Sequence, residues 1–300
     1  MLTNPDKVKL FTLMGSYPNT MALKDGRLAS SMVELDFADV KVSNTAFKPL
    51  VREAKFDLGE LAIVTFLQAK TYGKPYELIP LTVVGRGQLH TIAYNPEHGQ
   101  LGPRDLNGKT VGVRAYTQTT GVWVRGILAE SYGVDLDSIR WVTFEEGHVA
   151  EYTDPPNVRR APQGKQLVQM LIDGEIDAAI VGDKFPDPRL KPLIPEPEAA
   201  NRQWSESHGG VPINHMLVIR EALAKSRPDV VREVYRLFLQ AKRQEFGRSG
   251  VPPLDPWRSG IEANRRSLEI VIDYAFKQGL IPRRPAVDDL FSDLMRTLGD

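Results

Sequence analysis

The feature that most constrains this chain is an alternation, sustained through its first two thirds, of short apolar runs with longer segments of helical period. A strand buried on both faces reads as a short apolar run, and a helix covering it shows apolar residues every three or four positions. The alternation therefore predicts a mainly parallel sheet architecture with helices on both faces, an α/β fold. Strands are expected at Val8 to Met14, Met32 to Phe37, Phe56 to Leu61, Leu78 to Val84, His90 to Tyr94, Thr110 to Arg114, Arg140 to Thr143, Asp177 to Val181 and His215 to Arg220. Helices are expected at Phe47 to Ala54, Thr65 to Tyr72, Thr120 to Tyr132 and Gly164 to Asp173, the last two stopped by Gly133 and Gly174.

After Arg220 the pattern becomes helical throughout. Arg227 and Pro228 open a helix through Phe246, Pro252 to Pro256 break the chain, and an amphipathic helix runs from about Gly260 to Lys277. At 300 residues the chain can bury two cores of ordinary domain size. We read lobe I as residues 1 to 87 plus 211 to 300 and lobe II as 88 to 210. Glu151 to Gln163, rich in Pro, Asp and Arg, is the most loop-like stretch and reads as a mobile flap.

Composition removes several functions. Lys plus Arg and Asp plus Glu both number 38, so no global field draws the chain to nucleic acid or to a membrane surface. Cysteine is absent, which excludes disulfides, thiolate metal sites and a cysteine nucleophile. No stretch approaches the roughly 20 apolar residues that span a bilayer. The apolar run Leu10 to Met14 is too short for a signal-peptide core, and with Met1 at the start this gives the expectation of a cytoplasmic protein, or of a periplasmic one whose leader was trimmed. Dinucleotide fingerprint, Walker loop and G-x-S-x-G elbow are all missing from the sequence.

Specific motifs point further. Asp105-Leu106-Asn107-Gly108-Lys109-Thr110-Val111-Gly112-Val113 precedes the small polar run Tyr116 to Thr120 and then a helix, so a strand ends in a turn whose backbone N–H groups can hold an anion. This segment, the later Gly174-Glu175-Ile176-Asp177-Ala178-Ala179-Ile180 and the helix start Arg227-Pro228-Asp229-Val230 resemble the type 2 periplasmic-binding-protein fold. That fold is two-lobed, with a hinged interdomain cleft, here followed by extra C-terminal helices. Val124 to Val134, Ser138 to Val142, Ile213-Asn214-His215 and Asp255 to Arg265 are similar to stretches of its 4,5-dihydroxyphthalate decarboxylase-like branch. The resemblance runs from about residue 10 to residue 290. It implies a non-oxidative, cofactor-free aromatic decarboxylase, or a solute-binding relative, acting as transport receptor or sensor, that takes a similar acid. Two segments depart from the pattern: Ser16-Tyr17-Pro18-Asn19-Thr20 lacks the acidic residue expected there, and Gly59-Glu60-Leu61-Ala62 replaces a serine-rich loop.

Such a decarboxylation needs a proton delivered to the carbon bearing the carboxylate, and donors that orient the acid groups. Arginine grips carboxylates in a bidentate way, which makes Arg86, Arg114 and Arg125 the candidate anion holders. Each has a bland alternative: a hinge arginine for Arg86, a rim ion pair for Arg114, support of the loop for Arg125. Glu60, His90 and His215 are the candidate acids, and burial is expected to raise the pKa of Glu60 into a useful range. Tyr17, Tyr116 and Trp123 are candidates for stacking on a ring, with Thr117, Gln118 and Thr119 as donors around it, while Trp123 equally fits a core position. Glu145, Glu146 and His148 give no defined coordination set, so no metal site is assigned. The expected partner is a small carboxylated aromatic molecule, with neither nucleic acid nor membrane insertion; an oligomer is compatible with the sequence.

Overall fold

The computed structural model describes residues 7 to 250 and 254 to 299. Among them eleven strands form two sheets: β1 (Val8–Leu13), β2 (Val33–Phe37), β3 (Leu58–Ala62), β4 (Tyr76–Gly85), β5 (Ile92–Tyr94), β6 (Thr110–Val113), β7 (Arg140–Thr143), β8 (Val158–Arg160), β9 (Ala178–Ile180), β10 (Lys191–Pro192) and β11 (Ile213–Arg220). The described residues divide into two compact units, one drawn from the ranges up to 86, 213 to 269 and from 284 on, the other from 87 to 212 with 270 to 283. The segment 270 to 283, which the sequence reading gives to lobe I, packs in the second unit.

In the first unit the strand order is β2-β1-β3-β11-β4. β1 is parallel to both β2 and β3, whereas β11 runs antiparallel to β3 and β4. The chain leaves β1 for one neighbour and returns on its other side, so β1 and β3 flank a topological switch point, where open α/β sheets carry their ligands beyond the carboxyl ends of the strands. Leu10, Leu13, Leu58 and Leu61 are buried to 1% exposure or less, as are Phe47 and Leu50. Their burial from water is what holds the layers together.

The second unit has the order β10-β5-β9-β6-β7-β8. Its core gathers Ala93, Val142, Met170, Leu171, Ile176, Ala179 and Leu190. Gly112 on β6 is a glycine for packing reasons, since a Cβ there would stand 2.5 Å from Leu167 and 2.7 Å from Ile176. The helix Thr119–Tyr132 ends as expected at Gly133, which adopts φ 68° and donates its N–H to Leu128.

All nine expected strands form, with ends displaced by up to two residues. Three corrections stand out. The stretch read as a flap holds the edge strand β8, pinned through Trp141 N–H to Asn157, Ala161 N–H to Thr143 and the Asn157 amide to Ile139. His90 sits in a helical turn before β5 and not in a strand. Helices at Pro18–Lys24, Pro197–His208 and Glu221–Ser226 escape the periodicity argument. The second of these buries only Asn201, Trp204 and Ser205, too sparse an apolar stripe to announce a helix. Of the break expected at Pro252 to Pro256, Pro252 and Pro253 lie outside the described residues.

Candidate functional site

In the first unit Glu60, His215 and Tyr17 come together around β3 and the end of β1. In the β3/β11 pairing Glu60 stands opposite Leu217 and Ala62 opposite His215, which makes Glu60 and His215 diagonal neighbours on one face of the sheet. The register of β11 against β4 shifts on both sides of His215, and an irregularity of this kind re-aims a side chain. The result is a bond of 2.6 Å between His215 Nδ1 and Glu60 Oε2.

Glu60 is fully buried and His215 is 17% exposed at its side chain. Two further donors converge on the carboxylate. The Gly15 N–H, just beyond β1, donates to Oε1 at 2.6 Å, and the Tyr17 hydroxyl donates to both oxygens at 3.1 and 3.0 Å. Ser43 lies 3.4 Å from the Tyr17 hydroxyl oxygen. Phe47 meets the His215 ring edge to face, with centroids 5.1 Å apart.

Electrostatics corrects one expectation. Burial does push the Glu60 carboxyl up, but the charge and hydrogen bond of His215, the Ser43 hydroxyl and the Gly15 N–H outweigh it and hold the group below the ordinary carboxylate range. Glu60 is therefore an ionised acceptor, not a proton donor. Because a carboxylate only accepts, His215 must present Nδ1–H to it, and the remaining nitrogen, Nε2, is the one left to exchange a proton. Burial, and then the neighbouring Glu60 charge, push the Tyr17 phenol well above its usual value. It stays protonated. The Arg86 charge, at the end of β4, acts on the same phenol in the opposite sense.

The other sequence candidates lie in the second unit. His90 contacts Asp183 at 3.4 Å and the Asn201 amide at 3.4 Å. Arg114 follows β6 and faces Glu145 at 3.8 Å, the rim ion pair already weighed for it. Tyr116, Thr117 and Thr119 are at most 5% exposed, and Gln118 precedes the first turn of helix Thr119–Tyr132. Trp123 is buried, edge-on to Trp204 and Tyr274, so its ring packs the core. Arg125 is also fully buried, its guanidinium 3.9 Å from the Tyr116 ring centroid. His148 is buried, and among the described residues no group of three or more His, Asp and Glu is placed to hold a metal ion. No helix among them is long and apolar enough to cross a membrane.

Gly15, Ser43 and Phe47 were not singled out from the sequence. Gly15 carried a signal, a glycine directly after a strand, whose cause is steric: a Cβ there would lie 2.6 Å from the Tyr17 ring. Ser43 opens a helical turn and Phe47 the helix Phe47–Glu53 that follows it, and no local pattern encodes their proximity to β3.

The two α/β units and their sheet orders give a fold of the type 2 periplasmic-binding-protein kind. The structure resembles the periplasmic aliphatic sulphonate binding protein SsuA from Escherichia coli, with TM-score 0.60, 12% identity and coverage of 95% of this chain and 92% of that one. It also resembles the desulfurization enzyme DSZB, with TM-score 0.57, 14% identity and coverage of 95% and 97%. In sequence the chain is similar to 4,5-dihydroxyphthalate decarboxylases. It is 29% identical to that of Comamonas testosteroni over 257 residues, 79% of this chain and 75% of the relative, and 28% identical to that of Pseudomonas putida over 214 residues, 66% and 82%. No protein-family model matches.

Proposed function

We propose that the chain is a cofactor-independent carboxy-lyase that removes CO2 from a hydroxylated aromatic carboxylic acid of the 4,5-dihydroxyphthalate type. The observation that carries the reading is the Glu60–His215 pair. A buried carboxylate that fixes an imidazole tautomer and leaves Nε2 for proton exchange is what general acid catalysis requires. Capture of a ligand does not require it. The sequence relatives named as decarboxylases support the same reading.

In this scheme protonated His215 delivers its Nε2 proton to the ring carbon that bears the departing carboxylate. A ring hydroxyl, by donating electron density, stabilises the resulting cation. The carbon–carboxylate bond then breaks, its electron pair returns to the ring, and CO2 leaves; the net change consumes one proton, which water restores to His215. Glu60 holds the imidazole by accepting from its Nδ1–H, as a carboxylate does for a catalytic histidine elsewhere. Tyr17 supports Glu60 by hydrogen bonding, and the Arg86 guanidinium is the first-unit cation suited to a substrate carboxylate.

The rival reading is a solute-binding protein, favoured by the likeness to a sulphonate binding protein. Fold does not decide between the two, since an enzyme shares it. Incubation of the purified protein with 4,5-dihydroxyphthalate, followed by CO2 release and ring absorbance alongside thermal-shift binding, tests the proposal. Turnover that disappears in His215→Gln supports it. Binding without turnover across hydroxylated aromatic acids overturns it in favour of the receptor.

A further inference from the structure

In the second unit a positive charge is buried with no ion pair among the described residues. Arg125, on the helix Thr119–Tyr132, has no exposed surface. Its Nε donates to Gln278 Oε1 at 2.7 Å and its Nη2 to the Tyr116 carbonyl at 2.6 Å. The guanidinium plane packs on Tyr116, with Trp141 5.2 Å beyond. Gln278 is itself tied to the helix, donating to the Val122 carbonyl at 3.0 Å.

The third nitrogen, Nη1, has no hydrogen-bond partner among the described residues. It lies against the first turn of the helix, 3.1 Å from where a Cβ on Gly121 would stand. A buried guanidinium normally faces a carboxylate, because taking its charge out of water is costly. Here the groups in contact are a carbonyl, an amide oxygen and two aromatic faces, all neutral, while the carboxylate of Asp154 acts on the guanidinium only through space, without forming an ion pair with it. The turn ahead of it, Ala115 to Gln118, ends without a side-chain cap, so the first-turn N–H groups add their own partial positive charge at the same place.

We infer that Arg125 is the positioning residue of an anion-binding turn at the N-terminus of helix Thr119–Tyr132, holding the Tyr116 backbone in place and supplying from beneath the charge that a carboxylate on the ligand neutralises. The choice of a carboxylate rests on the decarboxylase reading; the charge imbalance does not. Arg125 need not touch the ligand. It acts through the turn, which is why a fully buried arginine can govern affinity for an external anion.

The test compares two probes on the full chain by calorimetry, phthalate for the carboxylate and catechol for the uncharged ring. With Arg125→Met we expect phthalate affinity to fall about tenfold or more, the scale of one lost charge-assisted interaction, with catechol affinity unchanged. Arg125→Lys, which keeps the charge and loses the fork, should recover part of the difference. Equal losses for both probes would mean that Arg125 only maintains the fold, and unchanged phthalate affinity would mean that the turn does not use its charge; either overturns the inference. Should the methionine variant fail to fold, Gln278→Leu, which removes the Nε acceptor, is read against the same criteria. Failure of the wild type to bind phthalate or 4,5-dihydroxyphthalate would instead count against the decarboxylase reading, so the two failures are distinguishable.

Discussion

His215 Nδ1 and Glu60 Oε2 are 2.6 Å apart although 155 residues separate them in the chain, and Glu60 is fully buried where they meet. A hydrogen bond to a charged group contributes about 1.5–3 kcal/mol, and here it also sets which imidazole nitrogen is available for chemistry. Most of the measurable behaviour of the site follows from this pair.

Substitution of the proton carrier should separate binding from chemistry. His215→Gln is expected to lower kcat by about 10²–10⁴, the range for loss of a general acid, while the dissociation constant for phthalate moves by less than about threefold. Steady-state kinetics together with calorimetry measure both. A kcat within a factor of about three of wild type would remove His215 from the reaction.

Glu60→Gln retains shape but loses the charge that fixes the imidazole. We expect kcat to drop by about 10² or more with a smaller change in KM. The pH dependence of stability carries an independent signature. The Glu60 carboxyl is held below its ordinary value of 4.5 in the folded protein, so its contribution is fully present above that pH and is lost as pH falls through the folded-state pKa. Urea denaturation from pH 7 to pH 3 should show the stability gap between wild type and Glu60→Gln narrowing below about 4.5. A gap that widens on acidification would contradict the sign.

Gly15→Ala places a methyl where the Tyr17 ring lies, at 2.6 Å. The ring must move, and its hydrogen bonds to Glu60 go with it. The expected cost is about 1–3 kcal/mol, as for other overpacked sites, with loss of turnover. Tyr17→Phe keeps the ring and removes only the hydroxyl, so it should be folded and impaired more mildly. Denaturation midpoints and kcat for the two variants, ranked in the reverse order, would refute the steric argument.

Arg114→Ala removes a partly exposed cation whose ion pair with Glu145 is long at 3.8 Å. Stability should change by no more than about 0.5 kcal/mol. Phthalate affinity should weaken several-fold if Arg114 serves the ligand, and a shallower salt dependence of binding should accompany the loss. Identical affinity at every ionic strength would assign Arg114 to the rim pair alone.

The sequence by itself determined the layering. Apolar period predicts the nine principal strands, and the glycines at 133 and 174 end helices because only glycine adopts their positive φ without strain, 68° and 71°. It also marked Tyr17, Glu60 and His215 as residues worth attention, each from its place near a strand end. It left β8 and β10 unread, one inside a polar stretch and the other two residues long, because edge pairing draws on backbone groups more than on side-chain pattern.

Tertiary structure alone decided what those residues do. The sign of the Glu60 shift depends on donors from Gly15, Ser43 and His215, three segments brought together by β1, the turn at Ser43 and the antiparallel return of β11. Burial and hydrogen bonding act on a carboxyl in opposite directions, and their balance is a property of three-dimensional neighbours. The same holds for Arg125, whose helical position is plain in the sequence while the lack of a hydrogen-bond partner for its Nη1 among the described residues is a fact of packing. Local sequence determines which groups can be charged; which of them meet, and how much water remains around them, is decided only when the chain closes on itself.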